Sequence, residues 1–152
     1  SISAALSIKV DQDDVVYVGG YIGDKAVYWK DGAVTELTDG STTAMATSID
    51  VSGEDVYIAG VYGDDYENLA YWKNNSSGKV DLAVESPYSV PPILEMLAVF
   101  SKPTIQTDGE TVYVASPLVE NPSEPIFAGG LWKNGVLTVK EGYAYSSLFV
   151  RW

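Results

Sequence analysis

The stretch that decides the fold runs from residue 48 to residue 73, as SIDVSGEDVYIAG (48–60), a polar loop, and AYWK (70–73). Its pieces recur on both sides along the chain. Before it stand SIKV, VYVGG and VYWK, at residues 7–10, 16–20 and 27–30; after it stand TIQT, VYVA and GLWK, at residues 104–107, 112–115 and 130–133. The chain therefore contains three imperfect copies of one unit, a pattern typical of folds that stack one small element several times.

Each unit is predicted to form four β-strands, A to D. In the first strand, Ile2, Ala4, Leu6, Ile8 and Val10 alternate with more polar or smaller residues, which is the period of two expected of a half-buried strand. The pair Asp31-Gly32 after strand C is typical of a tight hairpin turn. The predicted strands are 1–10, 15–21, 25–30 and 33–38, then 44–51, 55–61, 68–73 and 79–84, then 99–107, 111–116, 126–133 and 136–140.

Three antiparallel four-stranded units of roughly 40 residues predict an all-β, β-propeller-like fold in which each unit is one blade. We predict one repeat domain over 1–152, with units at about 1–41, 42–98 and 99–142. Residues 143–152 align with strand A and predict an orphan fourth strand. Propellers usually have about four to eight blades, so we expect another copy of the chain, or further sequence, to complete the ring.

One segment breaks the repeat. Residues 91–98, PPILEMLA, place proline ahead of good helix formers, which predicts a short helix, although the same residues could extend the next strand A.

The composition excludes several classes of function. A chain of 152 residues with a net charge of −12 repels phosphate backbones and anionic lipid, so we expect no nucleic acid partner, and cations, basic proteins and neutral sugars remain open. Cysteine and histidine are absent, which excludes disulfides, thiolate chemistry and the commonest general base. No apolar run reaches the roughly 18 residues of a membrane span, so membrane insertion is not expected. The start lacks a signal-peptide pattern and begins inside a strand, as a processed or trimmed product would.

Several repeated pieces resemble the units of uncharacterised bacterial secreted or surface-anchored β-propeller proteins. They are VYIAG (56–60), AYWK (70–73), LTDG (37–40) and ATSIDVSG (46–53). The third unit matches in part, because it keeps Lys133-Asn134-Gly135 but has Ser116 in place of Gly60 and lacks the LTDG piece. The resemblance implies a propeller located outside the cytoplasm, either extracellular, in the periplasm or at the cell surface, and it implies no activity.

Repetition also allows each attractive motif to be compared with its own copies. Asp11, Asp13 and Asp14 could hold calcium, but the equivalent turns, SGED at 52–55 and TDGE at 107–110, carry ordinary turn residues, so we predict turn chemistry, no metal and no cofactor. The recurring aromatic residues are predicted to pack between blades rather than to hold sugar, and the lysine after each tryptophan to be solvated or to lie over a ring. These residues are Trp29, Trp72, Trp132, Tyr17, Tyr57, Tyr113, Lys30, Lys73 and Lys133.

The parts that do not repeat are better guides to function. The spacing from Trp29 to Trp72 is 43 residues and from Trp72 to Trp132 is 60, and the extra length falls in the B–C and D–A connections. In a meander these two connections emerge on the same side, where a rigid scaffold presents variable loops. The predicted ligand-binding residues there are Tyr62, Asp64, Asp65, Tyr66, Glu67, Tyr88, Glu120 and Asn121, with Glu124 nearby. An ordinary solvated loop surface is the alternative.

Three functions fit this pattern. The first is a non-catalytic binding or scaffold module that presents the loops to a glycan or a protein ligand. The second is a glycan-active enzyme using a carboxylate pair from Asp64, Asp65, Glu67 and Glu120, since glycosidases need two carboxyl groups roughly 5 to 9 Å apart. The third is a structural module that forms homo-oligomers through open blade edges.

Overall fold

Three four-stranded antiparallel sheets make up the structure, a computed structural model that describes residues 2–92, 102–120 and 127–141. Each sheet is a meander whose strands lie in chain order, so the predicted all-β class and the four-stranded units are confirmed. Sheet one contains β1 (Ser3–Val10), β2 (Val16–Ile22), β3 (Lys25–Lys30) and β4 (Ala33–Glu36). Sheet two contains β5 (Ala44–Ser52), β6 (Asp55–Tyr62), β7 (Asn68–Lys73) and β8 (Lys79–Leu82). Sheet three contains β9 (Thr104–Asp108), β10 (Thr111–Val119), β11 (Phe127–Lys133) and β12 (Val136–Glu141).

The observed elements depart from the predicted ones in a few places. A short 3-10 helix, Ser76–Gly78, lies in the turn between β7 and β8, and the Asn75 side chain caps it by accepting a hydrogen bond from Ser77 N at 2.9 Å. Strand β10 continues three residues beyond its predicted end, because its pairing with β11 runs on to Val119 and Phe127. The predicted orphan strand at 143–152, and all but residues 91 and 92 of the predicted helix, lie outside the described residues.

The alternation predicted for the first strand is wrong, because β1 contains a bulge. Ala5 pairs with Gly20 and Ser7 pairs with Gly19, so Leu6 is an extra residue. The side chains after it lie on the opposite face of the sheet from the one that simple alternation predicts. Ile8 therefore shares a face with Ala5, not with Leu6 as the alternation predicts. Strand β5 bulges at the equivalent place, between Ala46 and Ser48, so the bulge is a repeated feature of the unit.

One turn residue anchors each sheet in the same way. Asp31, Asn74 and Asn134 follow strand C with positive φ angles of 47°, 66° and 50°. Each side-chain oxygen accepts a hydrogen bond from a backbone N–H at the start of strand B, over 2.9, 2.7 and 2.8 Å. Aspartate and asparagine tolerate this left-handed conformation better than other non-glycine residues, which explains why the unit places them here.

The sheets pack face to face through an interface that occurs twice. Each sheet has a tryptophan face, which in sheet two carries Ile49, Ile58 and Trp72, and a tyrosine face, which carries Tyr57 and Leu69. The tyrosine face of sheet one packs on the tryptophan face of sheet two, and the tyrosine face of sheet two packs on the tryptophan face of sheet three. The buried members of the first interface include Tyr17, Ala26, Tyr28, Leu37, Ile49, Val56, Ile58 and Trp72; those of the second include Tyr57, Ala59, Leu69, Leu82, Ile105, Val112, Val114 and Trp132.

Polar bonds also join the first strands of successive sheets. Ile49 N donates to Ser7 Oγ at 3.3 Å, and Ile105 N donates to Ser48 Oγ at 3.1 Å, so the same bond connects β1 to β5 and β5 to β9. The serine in each case follows the bulge, which turns its hydroxyl toward the next sheet. The repeat therefore fixes the register between neighbouring sheets as well as their apolar packing.

Asp50 is the buried charge in this row of strands. Its Oδ2 accepts hydrogen bonds from Thr107 N at 2.7 Å and Thr107 Oγ1 at 3.1 Å, and its Oδ1 pairs with Lys9 Nζ at 2.8 Å. The residue is only 6% exposed, so one carboxylate joins β1, β5 and β9 inside the molecule.

Removing this carboxylate should destabilise the fold. We expect Asp50→Ala to lower the free energy of unfolding by about 1–3 kcal/mol, because it leaves a buried N–H without its acceptor. Asp50→Asn is the matched control: it keeps an oxygen for Thr107 and loses only the attraction of the partly exposed Lys9. Urea denaturation followed by tryptophan fluorescence measures both variants. An alanine variant as stable as the asparagine variant would contradict this role.

Candidate functional site

The B–C and D–A connections lie together on one side of the molecule, which we name the loop side. Ala44 N donates to Asp24 O at 3.0 Å, and Gly63 N donates to Thr43 O at 3.0 Å, so the D–A connection before β5 touches the B–C turns of sheets one and two. Ser89 exchanges two backbone hydrogen bonds with Val119, at 2.8 and 2.9 Å. These contacts bring the connections near one another at the same end of the sheets.

The loop between β6 and β7 holds four of the predicted site residues, Asp64, Asp65, Tyr66 and Glu67, and is closed by its own hydrogen bonds. Tyr66 N donates to Gly63 O at 3.1 Å, and Asp65 N donates to Glu67 Oε2 at 3.1 Å. The Glu67 carboxylate lies so close to Gly63 that a β-carbon at that position would overlap it, and Gly63 has a φ angle of 107°. Glu67 therefore supports the loop, while Asp64 and Asp65 are exposed beside it.

Tyr62 is held by two charged residues of β8. Its hydroxyl donates to Asp81 Oδ1 at 2.7 Å, and Lys79 Nζ lies 3.5 Å from the centre of its ring. Lys79 Nζ also pairs with Asp81 Oδ1 at 2.9 Å. Burial raises the pKa of the Tyr62 hydroxyl, and the hydrogen bond to Asp81 raises it further, which outweighs the opposing effect of Lys79. Sequence reasoning missed Lys79 and Asp81, which follow the 3-10 turn in a strand that carries no repeated motif.

Tyr66 and Tyr88 also have packing partners. Both rings are half-buried and pack against the apolar core between sheets two and three. Tyr88 additionally lines an open groove of about 450 Å³ between the segment after β8 and the outer strand β12. The three tyrosines of the predicted site are therefore anchored to the scaffold.

Glu120 and Tyr88 are brought close by the bond between their chain neighbours. Val119 and Ser89 form an antiparallel bridge, which places Glu120 opposite Tyr88. Glu120 is half-buried, and Asn121 lies outside the described residues. The exposed carboxylates at the loop side include Asp64, Asp65 and Glu67 in one B–C loop, Asp24 in the B–C turn of sheet one, and Glu85 in the segment after β8.

The side opposite the loops carries a groove that the sequence did not predict. It has a volume of about 500 Å³ and lies between the A–B turns of sheets one and two, lined by Lys9, Val10, Asp11, Asp13 and Val51. Asp11 Oδ1 accepts hydrogen bonds from Asp13 N at 2.9 Å and Val15 N at 3.0 Å. Burial acts to raise the pKa of Asp11, but these bonds and one from Tyr17 outweigh it, so the pKa is lowered. Across the described ranges, no three carboxylates come together as a metal site would require.

The repeated aromatic residues have structural surroundings. Lys30, Lys73 and Lys133 place Nζ 5.4, 5.5 and 5.7 Å from the ring centres of Tyr17, Tyr57 and Tyr113. Trp72 and Trp132 are fully buried between sheets, whereas Trp29 is half-buried and lines a shallow groove on the tryptophan face of sheet one. The predicted packing between units therefore holds for two of the three tryptophans, and none of the three described sheets packs on the third.

No helix among the described residues is long and apolar enough to cross a membrane. Comparison with protein-family models, with curated proteins and with solved structures finds no match to this chain. The geometry of the loop side is therefore the basis for a functional conclusion.

Proposed function

We propose that the chain is a propeller-type scaffold whose loop side binds a basic segment of another protein, without catalysis. The scaffold part of this proposal concerns how the three sheets are arranged, and the ligand part concerns which groups the loop side exposes. In line with the resemblance described above, we place the protein outside the cytoplasm, in the periplasm or at the cell surface.

A contact between sheet one and the segment that leads into sheet three supports a radial arrangement. Lys102, which lies two residues before β9, donates a hydrogen bond from Nζ to Leu6 O at 2.7 Å, although sheet two lies between sheets one and three. Stacked sheets are about 10 Å apart, so in a straight stack sheets one and three would be about 20 Å apart, which is beyond the reach of a lysine side chain. First strands that converge on a common axis, as they do in propeller blades, explain this contact.

The exposed charges of the loop side favour a basic ligand over a sugar. A sugar platform needs an open aromatic face, but Lys79 covers one face of Tyr62, and Tyr66 and Tyr88 pack against the core. Asp64 and Asp65 are exposed at the tip of their loop, and the whole chain carries a charge of −12. Carboxylates in this position attract lysine and arginine and speed their encounter with the surface. This exposure of Asp64 and Asp65 is the observation that carries the ligand class.

Binding of a fluorescent lysine- and arginine-rich peptide tests the proposal. We expect Asp64→Asn with Asp65→Asn to weaken peptide binding about tenfold, since each close charge pair at a surface contributes up to about 1 kcal/mol. The matched control is Asp13→Asn with Asp14→Asn, which removes the same charge from the opposite side of the molecule. Fluorescence anisotropy at two salt concentrations gives the affinities.

Three outcomes would contradict the proposal. One is the absence of peptide binding, and another is equal weakening by both pairs of substitutions, which would indicate attraction by net charge alone. The third is binding of a neutral oligosaccharide that is lost in Tyr62→Ala. That result would favour a glycan ligand, which the sequence left open as the alternative.

A further inference from the structure

A hydrogen bond that closes the first interface between sheets is missing from the second. The hydroxyl of Tyr28 donates to Asn74 O at 3.0 Å, which joins the tyrosine face of sheet one to the C–D turn of sheet two. Tyr71 and Asn134 are the equivalent residues of the next pair of sheets, since Tyr71 precedes Trp72 as Tyr28 precedes the tryptophan of sheet one. Within the described ranges, the Tyr71 hydroxyl has no hydrogen-bond partner and no group donates to Asn134 O.

A groove of about 450 Å³ lies where this bond is missing. Its lining includes residues of both facing sheets: Tyr57, Tyr71, Val80, Glu110, Val112 and Asn134. Tyr28 is only 7% exposed in the first interface, whereas Tyr71 is half-buried and Asn134 is exposed. Trp132 is fully buried in the same interface as Tyr71. The second interface is therefore packed at its centre and open at the end that carries the C–D turns.

One wall of the groove is the part of the second C–D turn that has no counterpart in the other units. Two residues join strands C and D in sheets one and three, whereas residues 74–78 join them in sheet two and include the 3-10 helix. A β-carbon at Gly78 would overlap the carbonyl oxygen of Lys73, so this segment lies tightly against the end of β7. Ser77 and Gly78 line the groove. A fixed, non-repeating wall is expected of a recognition site on a repeated scaffold.

The charges of the groove favour a ligand without negative charge. Lys73 Nζ pairs with Asp55 at 2.7 Å and Lys79 Nζ pairs with Asp81 at 2.9 Å, so each lysine of the lining already has a carboxylate partner. Glu110 is exposed and forms no ion pair with any described residue. An anion would be repelled by this carboxylate and by the net charge of −12.

The uncharged groups of the groove fit hydroxyl groups carried on an apolar frame. Burial raises the pKa of the Tyr71 hydroxyl, so it stays protonated and can donate, whereas the Asn134 carbonyl can only accept. A single hydroxyl group can accept from the first and donate to the second, which a lysine ammonium or an arginine guanidinium cannot do. The Tyr71 ring, Val80 and Val112 supply the apolar surface that small-molecule sites combine with a few polar groups.

We propose that this groove binds a neutral saccharide. A sugar hydroxyl accepts from Tyr71 and donates to Asn134 O, in place of the direct bond that joins Tyr28 to Asn74, and one face of the sugar ring packs on the Tyr71 ring. The A–B and C–D turns emerge at the opposite end of the sheets from the loop side. The groove is therefore a second site, and it does not depend on the peptide binding proposed above.

Saturation-transfer difference NMR with cellobiose, lactose and chitobiose, three neutral disaccharides, tests the proposal. We expect at least one of them to bind with a millimolar dissociation constant. Tyr71→Phe removes only the hydroxyl and should weaken binding about fivefold, the effect of losing one neutral hydrogen bond, while unfolding in urea stays unchanged. Sodium chloride should not alter the affinity, because the ligand is uncharged, whereas it should weaken binding of a basic peptide.

Tyr28→Phe is the matched control. It makes the same change at the equivalent residue, whose hydroxyl is already bonded within the protein, so it should lower stability in urea and leave saccharide binding unchanged. A second pair of variants fills space. Val80→Trp should abolish detectable binding because Val80 lines the groove, whereas Val34→Trp, at another exposed valine of a strand D, should not.

Four results would overturn the proposal. They are the absence of binding by all three disaccharides, equal weakening by Tyr71→Phe and Tyr28→Phe, binding that survives Val80→Trp, and binding that is lost in Tyr62→Ala but kept in Tyr71→Phe. The first three leave the peptide-binding proposal standing, because that proposal is measured with a different ligand and with substitutions at Asp64 and Asp65.

Discussion

Trp72→Ala should lower the free energy of unfolding by about 3–5 kcal/mol, the usual cost of truncating a buried tryptophan. Trp72 is fully buried where sheets one and two meet, so its removal leaves a cavity in the interface that defines the fold. Trp29→Ala is the matched control, because it removes the same side chain at the equivalent position of a sheet whose tryptophan face is uncovered. We expect it to cost about 1–2 kcal/mol, because Trp29 is only half-buried.

Urea denaturation of the two variants measures the difference. Equal losses at Trp29 and Trp72 would contradict the account, since they would mean that the covering sheet adds nothing to the environment of the ring.

A second pair of variants separates packing from hydrogen bonding. Trp132 Nε1 donates to Ala83 O at 3.1 Å, whereas Trp72 Nε1 is buried and finds no acceptor among the described residues. Trp132→Phe should therefore cost more than Trp72→Phe, because only the former breaks a hydrogen bond.

Gly60→Ala should destabilise the protein by about 3 kcal/mol or more, the upper range for forcing extra atoms into a packed site. A β-carbon at Gly60 would overlap the carbonyl oxygen of Met45 and would come within 3.0 Å of the Trp72 ring. The obstructing atom belongs to the backbone of a paired strand, so it cannot move aside as a flexible side chain could. Gly20 meets the carbonyl of Ala4 in the same way, because both strands bulge at this point.

The control for this substitution is Gly53→Ala. Gly53 has a φ angle of 59° and no atoms within 4 Å of the added carbon, so the variant should pay only the left-handed backbone cost of about 1–2 kcal/mol. Thermal unfolding followed by circular dichroism compares the two. If Gly60→Ala were as stable as Gly53→Ala, the close approach of the bulged strand would be wrong. Sheet three tolerates Ser116 at this position because β9 pairs with β10 only from Thr104 onward.

The strands and their pairing could be predicted from the sequence because the repeat supplies three versions of each segment. Asp31, Asn74 and Asn134 occupy the same position in the three units, so their hydrogen bonds to the start of strand B follow the same repeat. The bulge at Leu6 could not be predicted from alternation, since an extra residue inverts which side chains face the core but leaves no mark in the residue types of the strand. The exposure of Ile8 could not be predicted either, because Ile8 and Ile49 look alike in sequence and differ only in what packs on them.

The candidate site was less predictable than the fold. The side on which the B–C and D–A connections emerge follows from the order of strands in a meander, and loop length is what makes that side a candidate for binding. The contacts that hold Tyr62 come from Lys79 and Asp81, which are distant in sequence and carry no repeated motif. The contact of the Glu67 carboxylate with its own loop depends on the absence of a side chain at Gly63 and on the φ angle there, and the residue types alone do not specify this geometry.

The radial arrangement of the three sheets is the central claim, and distances between spin labels test it most directly. The chain has no cysteine, so labels can be placed in pairs through Asp13→Cys, Glu54→Cys and Glu110→Cys, at exposed positions in the three A–B turns. Dilution with unlabelled protein limits the measurement to one copy. The account predicts that the distance from Asp13 to Glu110 is clearly shorter than the sum of the distances from Asp13 to Glu54 and from Glu54 to Glu110. A distance equal to that sum would mean a straight stack of sheets and would contradict the account.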